Sequence, residues 1–125
     1  MSGWIGVDLD GTLAYYDSWN GGAIGEPITE MANRVRAWLV QGKDVRIFTA
    51  RVGNSGLRNE HGTEDGPSFA DEQERLIQDW TEKHFGVRLP VTATKDFAMI
   101  ALYDDRAIQV EMNTGRILGK EGLHR

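Results

Sequence analysis

The sequence predicts an α/β protein, a three-layer sandwich around a mostly parallel central sheet. Strand-like stretches at 4–9, 44–49 and 99–103 each lead into polar residues able to do chemistry. That is the pattern of buried strands delivering side chains to the carboxyl edge of a sheet. Two longer stretches, 28–41 and 68–85, carry apolar residues at helical spacing. Strand, long helix, strand is a crossover unit, so the first two strands should be parallel and their connection right-handed.

The chain is organised around its first strand, Trp4-Ile5-Gly6-Val7-Asp8-Leu9-Asp10-Gly11-Thr12-Leu13. Ile5, Val7 and Leu9 read as buried strand positions, and Gly11 breaks the run. Asp8 and Asp10 stand two apart, and two acids of one regular strand face opposite ways. The chain must therefore begin to bend at Asp8 if both are to serve one site. Carboxylates crowded together repel and are costly without a counter-charge, a cost that a bound cation removes.

Residues 14–27 read as a loop in which Tyr15, Tyr16 and Trp19 form a small apolar flap, either a packed connection or a substrate-facing one. Ile28 to Gln41 is expected to be helical through Ile28, Met31, Val35, Trp38 and Leu39, with Pro27 at its start and Gly42 as a left-handed cap. The second strand, 44–49, runs into Thr49-Ala50-Arg51. Residues 52–68 form a long polar loop. It lacks the Gly-Lys-Ser/Thr ending of a P-loop, so a Walker-type nucleotide site is rejected. Its Arg58 and His61 are read as solvated.

Ser68 caps the next helix, with Asp71 and Glu72 in the first turn. Phe69, Gln73, Leu76, Ile77, Trp80 and Phe85 carry its buried stripe, and Gly86 ends it. Val87–Thr92 is expected as a short third strand, and Met99–Tyr103 as a further strand terminated by Asp104-Asp105-Arg106. A short helix over Ala107–Met112, an edge strand over Gly115–Leu118 and a frayed Gly119–Arg125 complete the chain.

With 125 residues, no repeat and no internal boundary, residues 1–125 are expected to form one domain large enough to bury a core. The absence of cysteine excludes disulfides and thiolate metal sites. No basic leader and no membrane span is present, which makes a soluble, cytoplasmic protein without a membrane partner the expectation. A net charge of −5 and a pI near 5.1 argue against broad nucleic-acid binding, though not against a local basic site for one phosphate. His61, His84 and His124 are too scattered to suggest a metal cluster. Nothing in the sequence excludes an oligomer.

Four strand or loop ends offer polar groups of different kinds: Asp8 with Asp10, then Thr49, then Lys95, then Asp104 with Asp105. In this order they resemble the haloacid dehalogenase superfamily of phosphohydrolases. Its motifs are Asp-x-Asp-x-Thr, an apolar strand ending in Thr or Ser, a Lys, and an acidic pair after another apolar strand. The resemblance covers nearly the whole chain. It implies the Rossmann-like fold of that superfamily. Only short segments stand where members insert a cap, so it also implies no cap domain and an open site.

The resemblance further implies hydrolysis of phosphate monoesters through an aspartyl-phosphate. Asp8 would be the nucleophile, and Asp10 the general acid and then base. Thr49 would hydrogen-bond a phosphoryl oxygen, and Lys95 would offset charge on the phosphate and Asp8. Mg²⁺ suits such a site because it takes oxygen ligands, one or two carboxylates plus a substrate oxygen. Its ligands would be Asp8, the Asp10 carbonyl, and Asp104 or Asp105 or both, with Asp105 favoured as the direct one. Arg51, two residues beyond Thr49, is either a structural ion pair or a phosphate contact, the second being favoured.

Thr49-Ala50-Arg51 and the stretch from Tyr103 to Met112 are similar to the corresponding stretches in the phosphatase domain of phage polynucleotide kinases. That domain removes 3′-phosphates from nucleic-acid ends. The implied substrate is a phosphorylated small molecule, a nucleotide or a nucleic-acid end. Two other classes are weighed. A signalling receiver domain uses the same residue types in the opposite order, its acidic pair coming first. A phosphate-binding module without turnover would have no use for Asp10.

Overall fold

The computed structural model describes residues 3–53 and 68–119. Four strands form one parallel sheet: β1 (Trp4–Val7), β2 (Asp44–Phe48), β3 (Val91–Thr92) and β4 (Met99–Tyr103), in the spatial order β3-β2-β1-β4. Two helices connect them, α1 (Thr29–Val40) between β1 and β2, and α2 (Phe69–Phe85) between β2 and β3. The protein is thus α/β with a parallel sheet, as expected.

β1 is the centre of the sheet and is buried at every position. The register Ile5↔Val45 and Val7↔Ile47 turns these four side chains to one face. There they join Met31, Ala32 and Val35 of α1 and Ile77 and Trp80 of α2 in a single apolar cluster. Both helices therefore cover the same face, as two crossovers of one hand that step in one direction, β1 to β2 to β3, require. The opposite face carries Trp4, with the Arg46 guanidinium 4.8 Å above its ring and Phe48 6.5 Å away. The described residues form no second helical layer there.

Local signals explain the helix ends. The Ser68 hydroxyl accepts from Asp71 N–H at 3.1 Å, and Gly86 closes α2 in the left-handed region at φ +80°. α1 ends in paired bonds, Gly42 N–H to the Leu39 carbonyl and Lys43 N–H to that of Trp38, made around Gly42 at φ +76°. Pro27 lies two residues before α1 rather than in its first turn, and pairs in a bridge with Ala14. Leu76 of the expected stripe is 42% exposed, while Thr81, outside it, is fully buried.

Three expectations are corrected. The third strand shrinks to Val91–Thr92, because Leu89 is held by α2 side chains instead: its N–H donates to Thr81 Oγ1 and its carbonyl accepts from Gln78. No helix forms over Ala107–Met112. Such a short helix repays its nucleation poorly, and the segment turns back at Asn113 and Gly115, both at positive φ. The edge strand expected at Gly115–Leu118 is reduced to one antiparallel bridge, Val110↔Ile117. Arg58, His61, His124 and the tail beyond Gly119 lie outside the described residues. Among the described residues, no helix is long and apolar enough to cross a membrane.

Candidate active site

β1 ends one residue short of the first acid. Asp8 N–H still donates to the Tyr103 carbonyl at 2.9 Å, which ties it to β4, and the chain then folds over itself. The amides of Thr12, Leu13 and Ala14 converge on the Leu9 carbonyl at 3.3, 3.0 and 2.8 Å, and the Leu9 side chain is fully buried beneath them. This is the bend that two acids in one site require. Asp8 and Asp10 line one cavity of about 300 Å³ with Thr49, Arg51, Asp104 and Arg106. Tyr16, Trp19 and Phe48 form its aromatic wall.

Asp8, Asp104 and Asp105 meet at the rim, each offering a carboxylate oxygen within 4.8 Å of the others. Thr12 stitches the group together. Its hydroxyl lies 3.3 Å from Asp8 Oδ2 and 3.2 Å from Asp105 Oδ1, and accepts the Asp105 N–H at 3.0 Å. Asp104 Oδ1 accepts from Arg106 N–H at 2.9 Å. Gly11 is required beside this cluster on two counts. Its φ is +87°, and a Cβ there would stand 2.9 Å from Asp105 Oδ2. Gly11→Ala should cost about 1–2 kcal/mol in stability and push Asp105 aside. Denaturant unfolding checks the first effect and a Mg²⁺ titration the second.

The electrostatics ask for a cation. Burial, and then the charge of Asp104, pushes the Asp8 carboxyl up to about 6; the Thr12 hydroxyl pulls it down, and Asp10 adds further repulsion. Three converging oxygen donors of like charge fit a hard divalent ion such as Mg²⁺. With Mg²⁺ at 100 times its dissociation constant the folded state should gain about 2.7 kcal/mol. For a chain of this size that is a rise in Tm on the order of 10 °C, readable by calorimetry with and without chelator.

Asp10 is engaged elsewhere. Arg51 grips it with both prongs, Nε to Oδ2 at 2.7 Å and Nη2 to Oδ1 at 2.8 Å. The remaining donors go to the Gly22 carbonyl at 2.6 Å, Gln73 Oε1 at 2.9 Å and the Ala23 carbonyl at 3.5 Å. Trp19 lies 4.8 Å from the guanidinium. Arg51 is only 3% exposed and all five of its N–H groups are occupied. The ion pair weighed from sequence is the arrangement present. The 14–27 loop is accordingly packed against this arginine through Trp19, Gly22 and Ala23.

Thr49 is buried, lines the cavity and accepts the Arg51 N–H at 3.1 Å, which leaves its own hydroxyl proton to donate. Lys95 is exposed in the β3–β4 connection and does not line the cavity. The next residue explains why: Asp96 Oδ1 accepts the indole N–H of Trp4 at 2.7 Å, which ties the connection to the start of β1, away from the rim. Sequence reading passed over Thr12, Gln73 and Arg106. Their signals were a Thr closing the first motif, a polar residue within a buried stripe, and a cation directly after the acidic pair.

Comparison with protein-family models, with curated proteins and with solved structures found no match.

Proposed function

We propose that the protein is a Mg²⁺-dependent phosphohydrolase of the haloacid dehalogenase type, cleaving phosphate monoesters through an aspartyl-phosphate on Asp8. The observation that carries this reading is the meeting of Asp8, Asp104 and Asp105 at the rim of a cavity that Asp10 and Thr49 also line. Residues 93 or more positions apart are brought together there by Thr12 and Asp105. The reading also supposes the capless sandwich of that superfamily, whose third layer would cover the face carrying Trp4 and Phe48.

In this mechanism an Asp8 oxygen attacks phosphorus in line and the ester P–O bond breaks. Asp10 gives its proton to the leaving oxygen, then takes one from the water that attacks the phosphorus of the intermediate. The Asp8–phosphate bond breaks and inorganic phosphate leaves. Arg51 occupies one lone pair on each Asp10 oxygen, and a carboxylate has others for the proton. Thr49 donates its hydroxyl to a phosphoryl oxygen. Bound Mg²⁺, held by Asp8 with Asp104 and Asp105, would offset the repulsion between carboxylate and phosphate dianion.

The aromatic wall of Tyr16, Trp19 and Phe48 gives a flat leaving group a surface to lie against. It supports nucleotides or nucleic-acid ends as the proposed substrates, alongside phosphorylated small molecules. Hydrolysis of p-nitrophenyl phosphate tests the reading. Turnover should appear with Mg²⁺, vanish with chelator and return when Mg²⁺ is restored. Full turnover in thoroughly chelated buffer would sink it.

A further inference from the structure

We infer that the cation meeting the substrate phosphate in this cavity is Arg106, in the turn after β4, rather than Arg51 or Lys95. The inference rests on the phosphohydrolase reading and assigns a residue within it. A phosphate dianion entering beside Asp8, Asp10 and Asp104 needs positive charge beyond that of a divalent ion. Two arginines line the cavity. Arg51 is spent, since its five N–H groups hold Asp10, Gln73 and two backbone carbonyls, and turning one toward a ligand would strand a partner. Lys95 stands outside the lining, its connection drawn away by Asp96 and Trp4.

Arg106 has the complementary properties. Its backbone is pinned inside the site, where its N–H donates to Asp104 Oδ1 at 2.9 Å. Arg106 is among the residues that line the cavity and is exposed, and its side chain makes no hydrogen bond or ion pair with any described residue. The main chain is therefore placed while the fork stays uncommitted. A planar guanidinium offers two parallel N–H groups to a phosphate, a geometry that a lysine cannot reproduce. Because the side chain is exposed, replacing it leaves the core untouched.

The test compares wild type with Arg106→Ala, Arg106→Lys and Lys95→Ala. Two readouts are taken in Mg²⁺: steady-state hydrolysis of p-nitrophenyl phosphate with inorganic phosphate as inhibitor, and the rise in Tm that inorganic phosphate produces. Arg106→Ala should raise the inhibition constant for phosphate at least tenfold and lower kcat/KM by about 10- to 100-fold. It should also erase the phosphate-dependent rise in Tm, and Arg106→Lys should recover part of each. An Arg106→Ala protein that keeps wild-type inhibition and thermal shift overturns the assignment, as does a larger loss of phosphate binding in Lys95→Ala. Wild type that phosphate does not stabilise overturns it too. If wild type shows no turnover but its thermal shift depends on Arg106, the hydrolase reading fails and the phosphate contact stands.

Discussion

Asp8→Asn should abolish turnover and, at the same time, make the metal-free protein more stable at neutral pH. The first half follows from the proposed chemistry: an amide cannot form the aspartyl-phosphate, and removal of a nucleophile typically costs 10⁴-fold or more in kcat. The second half follows from the surroundings of the carboxyl. Asp8 is held among Asp104, Asp105 and Asp10 and is partly buried, and its pKa rises from 3.8 to about 6. A group that binds its proton more tightly when folded contributes stability that is complete below the unfolded value. That contribution drains away as pH rises through the folded value. The metal-free wild type should therefore lose ground against Asp8→Asn across pH 4 to 6, and the gap should stay open above that window.

Mg²⁺ should close the gap, because the cation compensates the charge that the amide removes. The measurement is Tm against pH for both proteins, with chelator and with Mg²⁺. Equal Tm values for the two metal-free proteins at pH 4 and at pH 7 would show that Asp8 is not crowded as described. An active Asp8→Asn protein would remove the nucleophile assignment and leave the electrostatic argument intact.

Arg51→Leu should carry the largest penalty in stability. The substitution strands the Asp10 carboxylate, the Gln73 amide and the carbonyls of Gly22 and Ala23, and takes away the cation beside Trp19. Removing one member of a buried pair typically costs about 3–5 kcal/mol. Asp10 is 21% exposed, so water can reach it and the lower end of that range is expected. At a few degrees per kcal/mol, Tm should fall by roughly 10 °C or more. Gln73→Leu breaks one bond of the same network and should cost about 1 kcal/mol. A double-mutant cycle between the two should show coupling, since Arg51 donates directly to Gln73 Oε1. A loss under 1 kcal/mol for Arg51→Leu would mean that the grip on Asp10 does not hold in solution.

Much of the architecture was legible residue by residue. The strand expected at Met99–Tyr103 is β4, and the cap at Ser68 and the stop at Gly86 bound α2. Signals of this kind are local: alternation, a capping hydroxyl or a left-handed glycine acts on its own neighbours. Other stretches misled for an equally physical reason. Val87–Leu89 has strand-like residues, but α2 offers bonds through Gln78 and Thr81 that periodicity cannot weigh. Ala107–Met112 has helix-forming residues, yet Asn113 and Gly115 turn it into a hairpin pairing Val110 with Ile117.

The candidate site divides in the same way. The sequence alone determined the two helices and the strands that carry Asp8, Thr49 and Asp104 at their ends, because strand period and turn chemistry are written in adjacent residues. Only the tertiary structure decided how those ends are shared out. It put Thr12 between Asp8 and Asp105, closed Arg51 onto Asp10 across 41 positions, and left Arg106 at the cavity while Lys95 was carried off with Asp96. Such pairings depend on sheet order and on competition among donors for one acceptor, and neither is a property of any short stretch of chain.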